Sequence, residues 1–153
     1  MRTLVAALMI LFVSASIGCI DASDVARAKR ACFEAYNEGI ERTNGRQQAA
    51  EYLDDCEIGV DYTSARLVEF ISESADEPAY LRGERLIIPG SVLTDFENGI
   101  RSWCRQRSDG DEFKEDACVY GRIKFLQRVR YKYDCDYDAQ NQRFCDLTPL
   151  LSR

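Results

Sequence analysis

Seven cysteines in 153 residues constrain this chain more than any other feature of its sequence. One of them, Cys19, lies near the N-terminus, and the other six are spread over the rest of the chain. An even set of cysteines is typical of proteins that fold in an oxidising compartment, where cysteines pair as disulfides. Pairing in sequence order is the simplest of several connectivities. We therefore predict three disulfides, among Cys32, Cys56, Cys104, Cys118, Cys135 and Cys145.

The N-terminal segment has the layout of a secretory signal. Arg2 supplies an early positive charge, the ten residues of Leu4–Val13 are all apolar, and small residues follow. Ten apolar residues are too few to span a bilayer, so this segment is not a transmembrane helix. We predict a signal peptide over residues 1–22, no transmembrane segment, and one domain over residues 23–153.

Cysteine parity bears on how this leader is processed. Cleavage after Ala15 would leave seven cysteines and one unpaired thiol, whereas cleavage after Ala22 removes Cys19 and leaves six. Lipidation of Cys19 is the alternative, although Ser16 stands where a lipidation motif usually has a large aliphatic residue. Each route predicts an exported protein in the periplasm or outside the cell, and lipidation would anchor it to the outer membrane.

Charge and composition argue against several function classes. Twenty basic and 26 acidic residues give a net charge of −6, which offers no electrostatic reason to bind nucleic acid or anionic membranes. The chain has no histidine, and this removes Ser-His-Asp and Cys-His catalysis. A carboxylate pair that uses Glu34 or Glu51 could still hydrolyse a glycoside, but a solvated helix surface is the simpler role. We predict a non-catalytic protein with no cofactor.

Apolar residues recur every three or four positions over most of the chain, which predicts helices. Gly59 and Asp61 are expected to break the second helical stretch, and Pro78 opens a less regular segment. Ser23 or Asp24 is predicted to cap the first helix, which runs to about Arg42, and Ser91 is predicted to cap a helix that runs to about Gln106. The other predicted helices are Arg46–Cys56, a segment that starts at Thr63 or Ser64, and Asp111–Arg128.

The pattern changes near Arg130, where apolar and charged residues begin to alternate. Tyr131–Tyr137 has this period of two, which predicts a strand, and Arg143–Leu147 could return beside it after a turn. The predicted fold is therefore mainly α, a disulfide-braced helical domain with a small C-terminal β-hairpin.

Two charged clusters are candidate binding sites. Asp134, Asp136 and Asp138 have the spacing of a calcium loop, but Ala139 and Cys145 stand where glycine and glutamate are needed. We interpret these aspartates as the solvated face of an edge strand and predict no metal site. A second cluster is basic, and it is either a solvated helix face or a docking stripe for an acidic partner. Its members are Arg122, Lys124, Arg128, Arg130 and Lys132.

The layout of cysteine, tyrosine, glycine and proline between residues 32 and 104 resembles the Tai-type immunity proteins of the type VI secretion system. A second segment, with Phe96–Ile100 before Cys104 and then Cys118–Gly121, is similar to the opening of that pattern. The tail over residues 122–153 lies outside the resemblance. The matching positions are Cys32, Tyr36, Gly39, Cys56, Pro78 and Cys104.

The resemblance implies an exported helical protein that sterically blocks a cell-wall amidase effector. Its partner would be that protein, with a homodimer as a further option. We expect the contacts in the segment Tyr80–Gly90, because it exposes Leu86, Ile87 and Ile88 between turn signals. The alternatives are a secreted carrier of an apolar small molecule and a lipid-anchored envelope protein of structural role.

Overall fold

The computed structural model describes residues 20–37 and 45–151. The predicted signal peptide up to Cys19, and the predicted end of the first helix at Arg42, lie outside these residues. The helices are α1 (Ala22–Ala35), α2 (Arg46–Ala75), α3 (Gly90–Ser108) and α4 (Glu112–Arg130). The strands are β1 (Leu81–Arg82), β2 (Arg85–Pro89), β3 (Asp134–Tyr137) and β4 (Arg143–Asp146), with short 3-10 turns at Pro78–Tyr80 and Thr148–Leu150.

The mainly α fold class is confirmed, and the predicted hairpin is half of a four-stranded antiparallel sheet. The strand order is β1-β2-β4-β3, so β4 pairs with β3 on one side and with β2 on the other. Ile88 lies opposite Cys145, and both side chains are buried on the face that packs against the helices.

The expected exposure of the run Leu86–Ile88 was wrong for Leu86 and Ile88. Leu86 and Ile88 have 0% of their surface exposed, because β2 is a central strand of the sheet and their side chains lie on the face that packs against the helices. Successive side chains of a strand point to opposite faces. A run of three apolar residues therefore places two in the core, and Ile87 alone lies on the other face, partly exposed.

The prediction of a break in the second helix was also wrong, since α2 is continuous over 30 residues. Gly59 is buried where α2 meets α4, and a Cβ atom built there would lie 2.2 Å from the carbonyl oxygen of Cys118. Gly121 is its counterpart on α4, with a built Cβ 2.0 Å from the carbonyl oxygen of Cys56. These glycines allow two helix backbones to touch, so Gly59 is a packing residue within α2.

Helix α1 starts earlier than predicted, because Asp21 is its N-cap rather than Ser23 or Asp24. The Asp21 carboxylate accepts hydrogen bonds from the backbone N–H groups of both residues. The Asp24 carboxylate accepts one from the backbone of Asp21, which completes a capping box. Asp24 is buried and also binds the ammonium group of Lys132 at 2.5 Å, so an ion pair links the start of α1 to the chain just after α4.

The remaining helix ends and the first strand of the hairpin differ from their predictions by small amounts. Helix α3 starts at Gly90 directly after Pro89, so Ser91 is not its cap. Asp111 is the N-cap of α4 and lies outside the helix, where its carboxylate accepts two backbone hydrogen bonds. Strand β3 is an edge strand with all four residues exposed. Its alternating pattern therefore does not mark a buried face.

Three disulfides join the six cysteines in sequence order, each to the next, as the simplest connectivity predicted. Their S–S distances are 2.02, 2.03 and 2.04 Å. The first links α1 to α2, the second links α3 to α4, and the third crosses from β3 to β4. The pairs are Cys32–Cys56, Cys104–Cys118 and Cys135–Cys145.

Candidate functional site

The outer face of the sheet, opposite the helices, is the candidate site. Ile87, Pro89 and Phe144 form its apolar floor, and Tyr80 from the preceding 3-10 turn lines the same cleft. The cleft has a volume of about 490 Å³ and is open to solvent. Arg82, Arg143 and Asp138 line it as well, so the apolar floor lies beside charged side chains of both signs.

The strand alternation explains why these residues share one face. Pro89 lies opposite Phe144 across the β2–β4 pair, and Ile87 lies two residues before Pro89 on the same strand. Leu86 and Ile88 on the other face are covered by the helices. The sheet therefore buries Leu86 and Ile88 against the helices and leaves Ile87, Pro89 and Phe144 on the outer face.

An ion pair between β2 and β4 lies beside the apolar floor. Arg85 donates to the Asp146 carboxylate from both Nε, at 3.0 Å, and Nη2, at 2.6 Å. Thr148 donates to the same carboxylate from its hydroxyl and its backbone N–H. Partial burial raises the pKa of Asp146, but the hydrogen bonds from Thr148 and Arg85 outweigh it and hold the pKa below its ordinary value.

This lowered pKa predicts a loss of stability in acid. A group whose pKa is lower in the folded state than in the unfolded state contributes stability above its unfolded value, here 3.8, and loses it as the pH falls through the folded value. Asp146→Asn should therefore destabilise the protein at about pH 7 and progressively less below about pH 3.8. Urea unfolding across this range measures the difference. Asp136→Asn, on the exposed edge strand, is the control, and a constant difference for Asp146→Asn would contradict the prediction.

The acidic residues considered as a calcium loop or a catalytic pair do not assemble a site. Asp138 accepts hydrogen bonds from the backbone of Gln140 and Gln142, so it holds the turn between β3 and β4. Glu34 pairs with Arg30 on α1, and Glu51 is exposed on α2. Over residues 20–37 and 45–151, no group of three or more cysteine, aspartate or glutamate side chains is arranged to hold a metal ion.

The basic cluster is divided between separate environments. Lys124 and Arg128 line a cleft between α1 and α4, whereas Arg122 and Arg130 line another between α3 and α4. Lys132 is paired internally with Asp24. These five residues therefore do not form a single docking stripe.

A groove between α2 and α3 is lined by aromatic rings that stack on one another in pairs. Tyr62 stacks on Trp103 with ring centroids 3.5 Å apart, and Phe70 stacks on Phe96 at 4.5 Å. The guanidinium of Arg107 lies 5.9 Å from the centre of the Trp103 ring. These contacts use ring surface that a ligand would need, which leaves the outer face of the sheet as the better site.

Comparison with known proteins yields no relative: the chain matches no protein-family model, no curated protein and no solved structure. Within the part of the chain that the structure describes, no helix is both long and apolar enough to cross a membrane. Of the three predicted contact residues, the structure places only Ile87 in the cleft. Phe144 was missed, although its place between Arg143 and Cys145 in a strand predicts the same alternation.

Proposed function

We propose that this is an exported, non-catalytic binding protein whose outer sheet face receives a segment of a partner protein. The observation that supports this most directly is the open apolar floor of Ile87, Pro89 and Phe144 on a strongly charged chain. Apolar surface that is grouped in a cleft and bordered by charge is typical of protein-binding sites. An extended loop of the partner would lay its apolar side chains on this floor.

Within this class we propose a steric inhibitor, an immunity protein that blocks a cell-wall amidase effector. The support is the resemblance over residues 32–104 together with the rigid frame that three disulfides provide. A rigid surface loses little conformational entropy on association. The net charge of −6 would also speed the approach of a basic hydrolase.

A carrier of an apolar small molecule is the second candidate, because a cleft of about 490 Å³ is within the size range of small-molecule sites. Such sites usually enclose most of the ligand, whereas this cleft lies on an open sheet face. A structural role at the envelope with a lipid on Cys19 is a further proposal.

The test is capture of a partner from the envelope and secreted fractions of the producing organism, with the oxidised protein as bait. We expect one stoichiometric protein whose peptidoglycan amidase activity falls when the complex forms. Ile87→Glu should weaken the complex at least about 100-fold, because it places a charge at the centre of the apolar floor. Titration of the purified partner measures the dissociation constant.

Phe33→Glu is the matched control, since Phe33 is an apolar side chain on α1 with 51% of its surface exposed. It should leave the affinity unchanged. Equal losses in the two variants, or no loss in Ile87→Glu, would reject the sheet face as the binding surface. If no protein is recovered and an apolar small molecule co-purifies, the inhibitor proposal fails and the carrier replaces it.

A further inference from the structure

A second cleft, of about 170 Å³, opens between α3 and α4 and is separate from the sheet face. Its polar lining is mostly donors: Arg122, Gln127 and Arg130 from α4, and the hydroxyl of Tyr133 just after α4. Among the described residues, Glu97 from α3 is the one carboxylate that lines it. An excess of cationic groups in a cleft is notable in a protein whose net charge is −6.

Arg122 has an unmet hydrogen bond at this cleft. Its Nη1 donates to the backbone carbonyl of Glu97 at 3.2 Å, which ties α4 to α3. Its Nε is shielded from solvent and has no acceptor among the described residues. A buried donor of a charged group is costly to leave unpaired, so an acceptor at this guanidinium would be strongly favoured.

The electrostatics of the cleft favour an anion as that acceptor. Burial lowers the pKa of Arg122, Glu97 opposes this shift, and Arg101 from α3 adds to it. Arg101 and Arg130 have no ion-pair partner among the described residues. The two guanidinium groups that line the cleft, those of Arg122 and Arg130, thus accompany a single lining carboxylate among the described residues. Arg101 adds its positive charge to the field at Arg122, so a second negative charge in the cleft would be favoured.

We propose that this cleft binds a carboxylate attached to a short apolar chain. A carboxylate accepts two parallel hydrogen bonds from the Nε–Nη2 edge of a guanidinium, and such a ligand would supply the acceptor that the Nε of Arg122 lacks. Ile123, with 37% of its surface exposed, and Leu126 supply apolar contacts beside it. The volume of about 170 Å³ admits a small group, such as a short fatty acid.

Titration with butyrate tests the proposal on the intact, oxidised protein at constant ionic strength. Butyrate should shift the Nε–Hε NMR resonance of Arg122 saturably, with a millimolar dissociation constant. Butyramide has the same shape without the charge, and it should bind at least about tenfold more weakly because it cannot form the charge-assisted pair. Equal effects of the two compounds, or no saturable shift, would overturn the proposal.

Variants of α4 then locate the site. Arg130→Gln should weaken butyrate binding about fivefold, whereas Arg128→Gln, the same charge change in the cleft between α1 and α4, should not. Arg122→Lys keeps the charge but loses the pair of parallel donors that a guanidinium presents to a carboxylate, so binding of butyrate should fall at least about tenfold. If Arg122→Lys does not fold, the contrast between Arg130 and Arg128 still decides, and equal losses at those two positions would refute the site.

Discussion

Adding one methyl group at Gly59 or at Gly121 is expected to destabilise the fold by about 3 kcal/mol or more. In Gly59→Ala the new Cβ would lie 2.2 Å from the carbonyl oxygen of Cys118, and in Gly121→Ala it would lie 2.0 Å from that of Cys56. Both neighbours are backbone atoms, so no side-chain rotation can relieve the overlap. Helices α2 and α4 would have to separate, and the core between them would lose contacts.

Gly99→Ala on α3 is the matched control for this pair. Gly99 is also in a helix, but a Cβ built there has nothing within 4 Å. Alanine is a better helix former than glycine, so this change should stabilise the protein by about 0.5–1 kcal/mol. Urea unfolding followed by circular dichroism measures all three variants. Losses below about 1 kcal/mol at both Gly59 and Gly121 would show that the two helices are not packed this closely.

The same contact explains why α2 is continuous where the sequence predicted a break at Gly59. Glycine has a low intrinsic helix propensity, so the sequence alone predicts a break, but tertiary packing overrides this propensity. A continuous signal was nevertheless present, because Cys56, Val60, Thr63 and Leu67 keep helical spacing across Gly59 and are all buried. The hydroxyl of Thr63 donates to the carbonyl of Gly59, which places both residues in one uninterrupted helix.

Features set by neighbouring residues were predictable, and features set by distant pairing were not. Cysteine order and helical spacing gave the disulfides and most of the helices. The central position of β2 depends on β4, and the Arg85–Asp146 pair that joins them spans 61 positions. No local pattern around Leu86 or Ile88 reports that partner. An apolar run between turn signals was therefore read as an exposed segment.

The candidate sites show the same limit. Ile87 was named from sequence for its apolar run, but only strand pairing shows that it shares a face with Phe144. The basic cluster was found by counting charges along the chain. The pair between Lys132 and Asp24, which are 108 positions apart, ties one member of the cluster to the start of α1.

Removal of the disulfide between Cys32 and Cys56 is the second change with a large expected effect. The cross-link spans 24 positions, for which the chain-entropy model predicts about 3.5 kcal/mol of stabilisation. Both sulfurs are buried, so Cys32→Ala with Cys56→Ala also removes packing from the core. The double variant should therefore unfold at a lower urea concentration, with a loss of about 4 kcal/mol.

Cys135→Ala with Cys145→Ala is the comparison, because this disulfide spans only 10 positions and Cys135 is exposed. The same model predicts about 2.7 kcal/mol for it, with less packing lost. The first double variant should thus be the less stable of the two, and mass spectrometry should show the other two disulfides intact in each. Helix α1 also has the Asp24–Lys132 pair and the buried Ala28 to hold it. If those contacts suffice, the first variant will lose no more than the second, and the disulfide is not the main anchor of α1.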